Sequence, residues 1–182
     1  LTESVYLPSG QRTTACISSQ SGCPLACSFC ATGRSGFSRN LKAWEIYDQV
    51  VAVNRISLGK AGHKLNNIVV MGMGEPFLNY EALAGALHRL CDAEAGLGFS
   101  PQRITVSTAG LPDGIRRFAM DFPRVQLAVS LHSARQAVRE KLMPVARTWS
   151  LDVLREALQD YHSATEARIT FEYVLLDGVN DG

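Results

Sequence analysis

Residues 13–33 read TTACISSQSGCPLACSFCATG. Thr13 to Ser18 is a short β-branched run that reads as a strand. Ser21 to Gly33 is a loop punctuated by Gly22, Pro24 and Gly33, and it carries Cys23, Cys27 and Cys30 at C-x3-C-x2-C spacing. Three thiolates this close in sequence either converge on one metal centre or idle as loop residues. Zinc sites usually complete a tetrahedron with a fourth protein ligand, typically from a second Cys or His pair, and the sequence shows no such pair. A four-iron cluster held by three cysteines leaves one iron free for a small molecule, and iron–sulfur centres are thiolate-ligated carriers of single electrons. The spacing points to an iron–sulfur site, with structural zinc or unliganded cysteine as the competing readings.

Working outward, strand patterns recur at Asn67 to Met71, Arg103 to Ser107, Val125 to Leu131 and Arg168 to Leu175, with helical periodicity between them. Asn40 is placed to cap a helix over Leu41 to Leu58, and Leu83, Leu87, Leu90 and Cys91 form one stripe of a second. A third helix follows Pro112, a short fourth covers Arg135 to Leu142, and a fifth opens at Ser150 with Leu151, Leu154, Leu158 and Tyr161 on one face. Strand and helix in alternation predict an α/β domain with a parallel sheet and outer helices. About five such units fall short of a closed eight-unit barrel, which takes about 250 residues. A partial (βα) barrel is therefore expected, as one incomplete core domain over residues 1–182. The final VLLDGVNDG stops on turn residues after a strand, and the chain starts at Leu1, so a longer protein is expected around it.

The 182 residues carry 46% hydrophobic and 19% charged side chains with a net charge of +1, a composition that excludes disorder and collagen-like repeats. Apolar runs such as Val125 to Leu131 are far shorter than the ~18 residues of a membrane span, and the N-terminal residues lack a signal-peptide pattern. No membrane role and a cytoplasmic location are expected, and the clustered cysteines suit metal or catalysis better than disulfides. The charge is uneven. Residues 34–64 carry Arg34, Arg39, Lys42, Arg55, Lys60 and Lys64 against Glu45 and Asp48. This basic stretch beside the cysteine loop is either a guide for a phosphate backbone or a solvated helix face.

Three further segments end predicted strands, where parallel α/β folds collect ligands. In MGMGEP, Met71 to Pro76, the glycines let backbone approach a ligand and Pro76 stiffens the turn, although a plain strand-to-helix turn has the same composition. TVSTAGL, Thr105 to Leu111, and AVSLH, Ala128 to His132, deliver small hydroxyls and a histidine that could equally cap helices. Cys16 fits a small buried strand residue, and Cys91 fits the core stripe of its helix.

The C-x3-C-x-aromatic-C pattern, met with Phe29 before Cys30, resembles the signature of the radical S-adenosylmethionine (SAM) superfamily. Together with ACISSQSGCPLACSFCATG, GFSRNL, VVMGMGEP, TVSTAG, AVSLH and EYVLLDGVND, the chain resembles the RlmN/Cfr family of RNA adenine C2 and C8 methyltransferases from about Thr14 to Asp181. The resemblance implies a [4Fe-4S] cluster on Cys23, Cys27 and Cys30 whose open iron chelates SAM. It implies SAM contacts at Gly74, Glu75, Ser107, Ser130, Leu131 and His132, and a role for Cys16 in resolving a covalent protein–RNA intermediate. It also implies a methyl-carrying cysteine beyond Gly182 and an N-terminal accessory domain with a family glutamate, both outside these residues. The expected partners are 23S rRNA and tRNA, with C2 favoured over C8 because the C2 enzyme is the commoner, and an electron donor such as flavodoxin; a monomer is expected. The rival readings are another radical SAM enzyme, such as a methylthiotransferase, and a zinc-holding binding module.

Overall fold

The computed structural model describes residues 2–181. Val5–Ser9 (β1) and Arg12–Cys16 (β2) form an antiparallel hairpin turned at Gly10, where φ is +58°. From β2 the chain makes an excursion through Gln20–Gly22 (β3), the single-turn helix Ala31–Arg34 (α1) and Phe37–Asn40 (β4). Strands β3 and β4 pair as a separate sheet. The helix Ala43–Ala61 (α2) then returns to Asn67–Val70 (β5). The same step repeats through Tyr80–Cys91 (α3) to Ile104–Thr108 (β6), and through Pro112–Asp121 (α4) to Gln126–Ser130 (β7). Gln136–Leu142 (α5) and Leu151–Thr165 (α6) lead to Ile169–Glu172 (β8).

The main sheet runs β1-β2-β5-β6-β7-β8, and every neighbouring pair except β1 with β2 is parallel. Crossovers between parallel strands are right-handed, so a strand order that never reverses places all the helices on one face, the winding of a barrel. The two faces differ in kind. Ala15, Ile68, Val70, Ile104, Val106, Leu127 and Val129 are buried in one core with Val50, Leu83, Leu87, Ile115, Phe118 and Leu154 of the helices. The alternate positions Cys16, Ser107, Ser130 and Glu172 fall on the opposite, polar face. That face is concave. Ser107 of β6 donates to Glu172 of β8 at 2.6 Å across the intervening strand, and Ser130 of that strand donates to the same carboxylate at 2.9 Å. The expected partial barrel is what forms, with the antiparallel β1 added at its edge.

Three elements depart from the sequence reading. The strand pattern did not reveal β1, because Pro8 in VYLPS speaks against a strand; on an edge, opposite Thr13, its missing N–H is tolerated. Strand β3 overlaps the start of the expected Ser21 to Gly33 loop and pairs with β4 beyond it. Asn40 does not cap a helix: it lies in β4, where its Oδ1 accepts from Gln20 Nε2 at 2.7 Å. The helix begins at Ala43 instead, with the Glu45 side chain accepting from Lys42 N at 2.8 Å and Gly62 closing the other end at φ +72°. Ser150 does cap α6, its Oγ accepting from Val153 N. No helix among the described residues is long and apolar enough to cross a membrane.

Candidate cofactor site

A cavity of about 210 Å³ opens at the C-terminal ends of the parallel strands. The excursion after β2 brings Cys23, Cys27 and Cys30 to it; the loop after β5 brings Gly74 and Glu75; β6, β7 and β8 bring Ser107, Ser130 with His132, and Glu172. Residues far apart in sequence thus meet because barrel winding sends every strand's C-terminal end to one mouth.

The cysteine loop is held from several sides. Cys23 N donates to Gly36 O at 3.0 Å, Ser28 N donates to Leu142 O at 2.9 Å, and Cys30 N donates to Cys27 O at 3.1 Å. A Cβ on Gly22, where φ is +81°, would collide with the Gly36 carbonyl, so this position takes glycine. Burial pushes the Cys27 thiol up to about 12, and the neighbouring Cys23 and Cys30 thiolates add to the rise. Burial also raises Cys23, with Glu75 and Cys30 contributing. Two thiols that resist ionisation, Cys23 and Cys27, with Cys30 beside them at the same cavity, are a donor set that a cationic centre would complete, since the thiolate is the metal ligand. Three cysteines lining one cavity offer the thiolate donors that an iron–sulfur cluster would take, one on each of three irons.

Glu75 is 3% exposed. Its carboxylate accepts from Phe77 N at 3.0 Å, Thr108 Oγ1 at 2.8 Å and Ala109 N at 2.7 Å, so it clips the β5 loop to the β6 loop. Burial lifts its pKa to about 7 despite these donors. Gly74 needs glycine twice over: φ is +101°, and an added Cβ would come 2.5 Å from Gln20 Cβ. Gln20 in turn accepts from Glu75 N at 2.9 Å and donates to Asn40.

Glu172 Oε2 accepts from both Ser107 Oγ at 2.6 Å and Ser130 Oγ at 2.9 Å. With their protons turned to Glu172, both hydroxyls present lone pairs to the cavity. His132, at φ 54°, receives Val174 N on Nδ1 at 3.0 Å and meets the Phe29 ring edge-on at 4.6 Å. An Nδ1 that accepts a backbone N–H carries no proton, so the neutral ring holds its proton on Nε2; burial lowers its pKa in the same sense.

The structure thus gathers Cys23, Cys27, Cys30, Gly74, Glu75, Ser107, Ser130 and His132 around one cavity. Leu131 turns the other way, into an apolar hollow beside Leu151, Leu158 and Phe171, while its N–H and carbonyl are bonded to Glu172 O and Arg139 Nε. Cys16 stands on the concave face beside the cavity. Burial raises its thiol pKa, opposed by the Met71 backbone and reinforced by Glu172. Cys91 is half-buried on α3 against the core, as its stripe predicts. The sequence reading missed Glu172, although strand alternation within FEYV could have placed it on the inner face. It also missed Gln20, whose work is visible only in three dimensions.

The basic stretch divides. Arg34, Arg39 and Lys42 lie by the cysteine loop, Arg34 donating to Ser28 O at 3.1 Å and Arg39 paired to Glu45 at 2.6 Å. Lys60 and Lys64 lie at the opposite mouth, near Tyr6 and His63.

A barrel of parallel strands whose cysteine loop stands over a cavity at the strands' C-terminal ends defines a class, and residues 17–182 match the family model of the Radical SAM superfamily. The chain belongs to the radical SAM superfamily. Within it, the chain is 50% identical over 179 residues to the "Probable dual-specificity RNA methyltransferase RlmN" of Christiangramia forsetii, covering 98% of this chain and 51% of that protein. It is also 50% identical over 179 residues to the "Dual-specificity RNA methyltransferase RlmN" of Syntrophobacter fumaroxidans, with 98% and 51% covered. The crystal structure of a radical SAM methyltransferase from Sphaerobacter thermophilus superimposes with a TM-score of 0.95 at 48% identity, over 100% of this chain and 52% of that one. The motif resemblance to RlmN therefore extends across the chain, which spans about half the length of these relatives.

Proposed function

We propose that this chain is the catalytic core of an RNA methyltransferase that methylates adenine C2 in 23S rRNA and tRNA, with Cys23, Cys27 and Cys30 holding a [4Fe-4S] cluster and the cavity beside them holding SAM. The observation that carries the reading is the assembly of three cysteines, the Gly74–Glu75 loop, Ser107, Ser130 and His132 around one cavity in a chain half identical to RlmN proteins. Bound there, the cluster supplies the single electron that cleaves SAM, which suits an adenine C2 too weakly nucleophilic for polar transfer.

The residues of this chain bind and orient. The lone pairs of Ser107 and Ser130 face the cavity as acceptors for ribose hydroxyls, and His132 Nε2 offers a donor. Glu75 fixes the loop backbone that meets SAM, its carboxylate being committed to Phe77, Thr108 and Ala109. Leu131 contributes through the backbone path it sets for Ser130 and His132. Cys16 supplies the thiol that resolves the protein–RNA bond. Because burial disfavours its thiolate, it reacts only once a base has taken its proton. The methyl-carrying cysteine lies outside these residues, and the target adenine must leave its stack to reach the mouth, which is cheapest in an RNA loop.

Anaerobic reconstitution of the longer protein that includes the methyl-carrying cysteine tests the reading, while residues 1–182 alone should bind cluster and SAM without methylating RNA. A brown protein that bleaches with dithionite, yields 5′-deoxyadenosine from SAM and produces C2-methyladenine in 23S rRNA or tRNA is expected. The Cys27→Ala variant should lose both colour and SAM cleavage. A colourless protein holding one zinc overturns the proposal, and C8-methyladenine as sole product overturns the C2 assignment.

A further inference from the structure

Arg139 is the largest fully buried side chain among the described residues, at 1% exposure. It sits on α5, and no carboxylate is bonded to it among those residues. Its guanidinium is held by carbonyls alone: Nη2 donates to Ala109 O at 2.6 Å and Nε donates to Leu131 O at 3.2 Å. Ala109 follows β6 and Leu131 follows β7, so one side chain ties together two of the loops that line the cavity. Gly110 makes room for it: φ there is +100°, and an added Cβ would come 3.3 Å from Arg139 Nη2. The same short helix ends on the cysteine loop, where Leu142 O accepts from both Ser28 N at 2.9 Å and Ser28 Oγ at 3.3 Å. Met143, at the end of α5, lines the cavity.

A buried guanidinium without a carboxylate is costly unless an anion stands within its field. The end of the same helix is bonded to the cysteine loop through Ser28, and Cys27 of that loop is the group whose charge favours the charged form of Arg139. We propose that Arg139 is a positioning residue of the cofactor site: its fixed positive charge compensates the thiolate-bound cluster and eases its reduction, while its fork holds the β6 and β7 loops in register with the cysteine loop. The inference rests on the radical SAM reading above. A positive charge held near a centre favours the more negative, reduced state, so removing it makes reduction harder.

The test is a redox titration of the reconstituted full chain without SAM, followed by the electron paramagnetic resonance signal of the reduced cluster, alongside thermal melts. In R139Q, which keeps a donor but loses the charge, the ratio of reduced to oxidised cluster at a fixed potential should fall about tenfold, or ~59 mV for a one-electron couple. R139K keeps the charge without the fork and should titrate like the wild type while melting at lower temperature. Equal shifts in both variants, or no shift in R139Q, overturn the charge role and leave Arg139 a structural brace. Should R139Q not retain its fold, R139M, neutral and of similar length, takes its place: a tenfold fall supports the proposal and a wild-type titration overturns it. A wild-type protein that takes up no cluster sinks the radical SAM reading itself, a different result from a cluster indifferent to residue 139.

Discussion

Glu75 is a carboxyl group whose three donors do not compensate for its burial. Its pKa rises from an ordinary 4.5 to about 7, so between those values the folded chain keeps a proton that the unfolded chain has released. The contribution of Glu75 to stability is greatest below about pH 4.5, falls as pH rises, and is lower by on the order of 3 kcal/mol above pH 7. Glu75→Gln cannot ionise and should show a flatter profile. It also turns an amide N–H₂ towards groups that are themselves donors, a loss of about 1–3 kcal/mol at every pH. Urea unfolding of the cluster-free chain at pH 5 and pH 8 should find the wild type's advantage over the variant narrowing or reversing as pH rises; an advantage independent of pH refutes the assignment.

At the scale of elements, α4 is pinned beneath the Glu75 loop through a single small residue. Propensity alone predicts that Gly114→Ala stabilises the helix by about 1 kcal/mol. A Cβ at Gly114, however, would lie 2.7 Å from Phe77 Cβ, an atom close to the backbone that cannot swing aside. Overpacking of that kind costs about 1–3 kcal/mol and outweighs the propensity gain. The variant should therefore melt lower, and a higher melting temperature would show that the Phe77 turn yields. The same contrast explains what the sequence made legible. Helices such as α3 and α6 were readable because Leu83, Leu87, Leu154 and Leu158 repeat at the helical period. The winding followed from the alternation, and the cysteine spacing is local. The β1 edge strand, the β3–β4 hairpin and the true start of α2 were not readable. Each depends on a long-range partner: Pro8 on Thr13, Gly22 on Phe37, and Asn40 on Gln20. Arg139 escaped for a related reason, since an arginine on a short helix reads as surface until the carbonyls around it are seen.

Over the whole molecule, net charge says little about RNA because the basic groups sit at two opposite ends of the barrel. Arg34 and Lys42 flank the cysteine loop at the C-terminal ends of the strands, where the cavity opens, and both are exposed. Arg39 beside them is already committed to Glu45 at 2.6 Å. Lys60, in the last turn of α2, and Lys64, just beyond it, lie at the end from which the strands start. If RNA enters at the cavity mouth, only the first group can neutralise its phosphates. Each phosphate contact on a single strand contributes about 0.7 to the slope of log affinity against log salt. Replacing Arg34, Arg39 and Lys42 together by Ala in the full chain should then lower the magnitude of that slope by about 1.4, two contacts instead of three, because the ion pair with Glu45 withholds Arg39. Replacing Lys60 and Lys64 should leave the slope unchanged. Fluorescence titrations of a 23S rRNA hairpin across a range of salt concentrations measure both. A fall in slope for the Lys60 and Lys64 pair, with none for the other three, would place the RNA at the wrong end of the barrel for a base to reach Cys16 and the cavity.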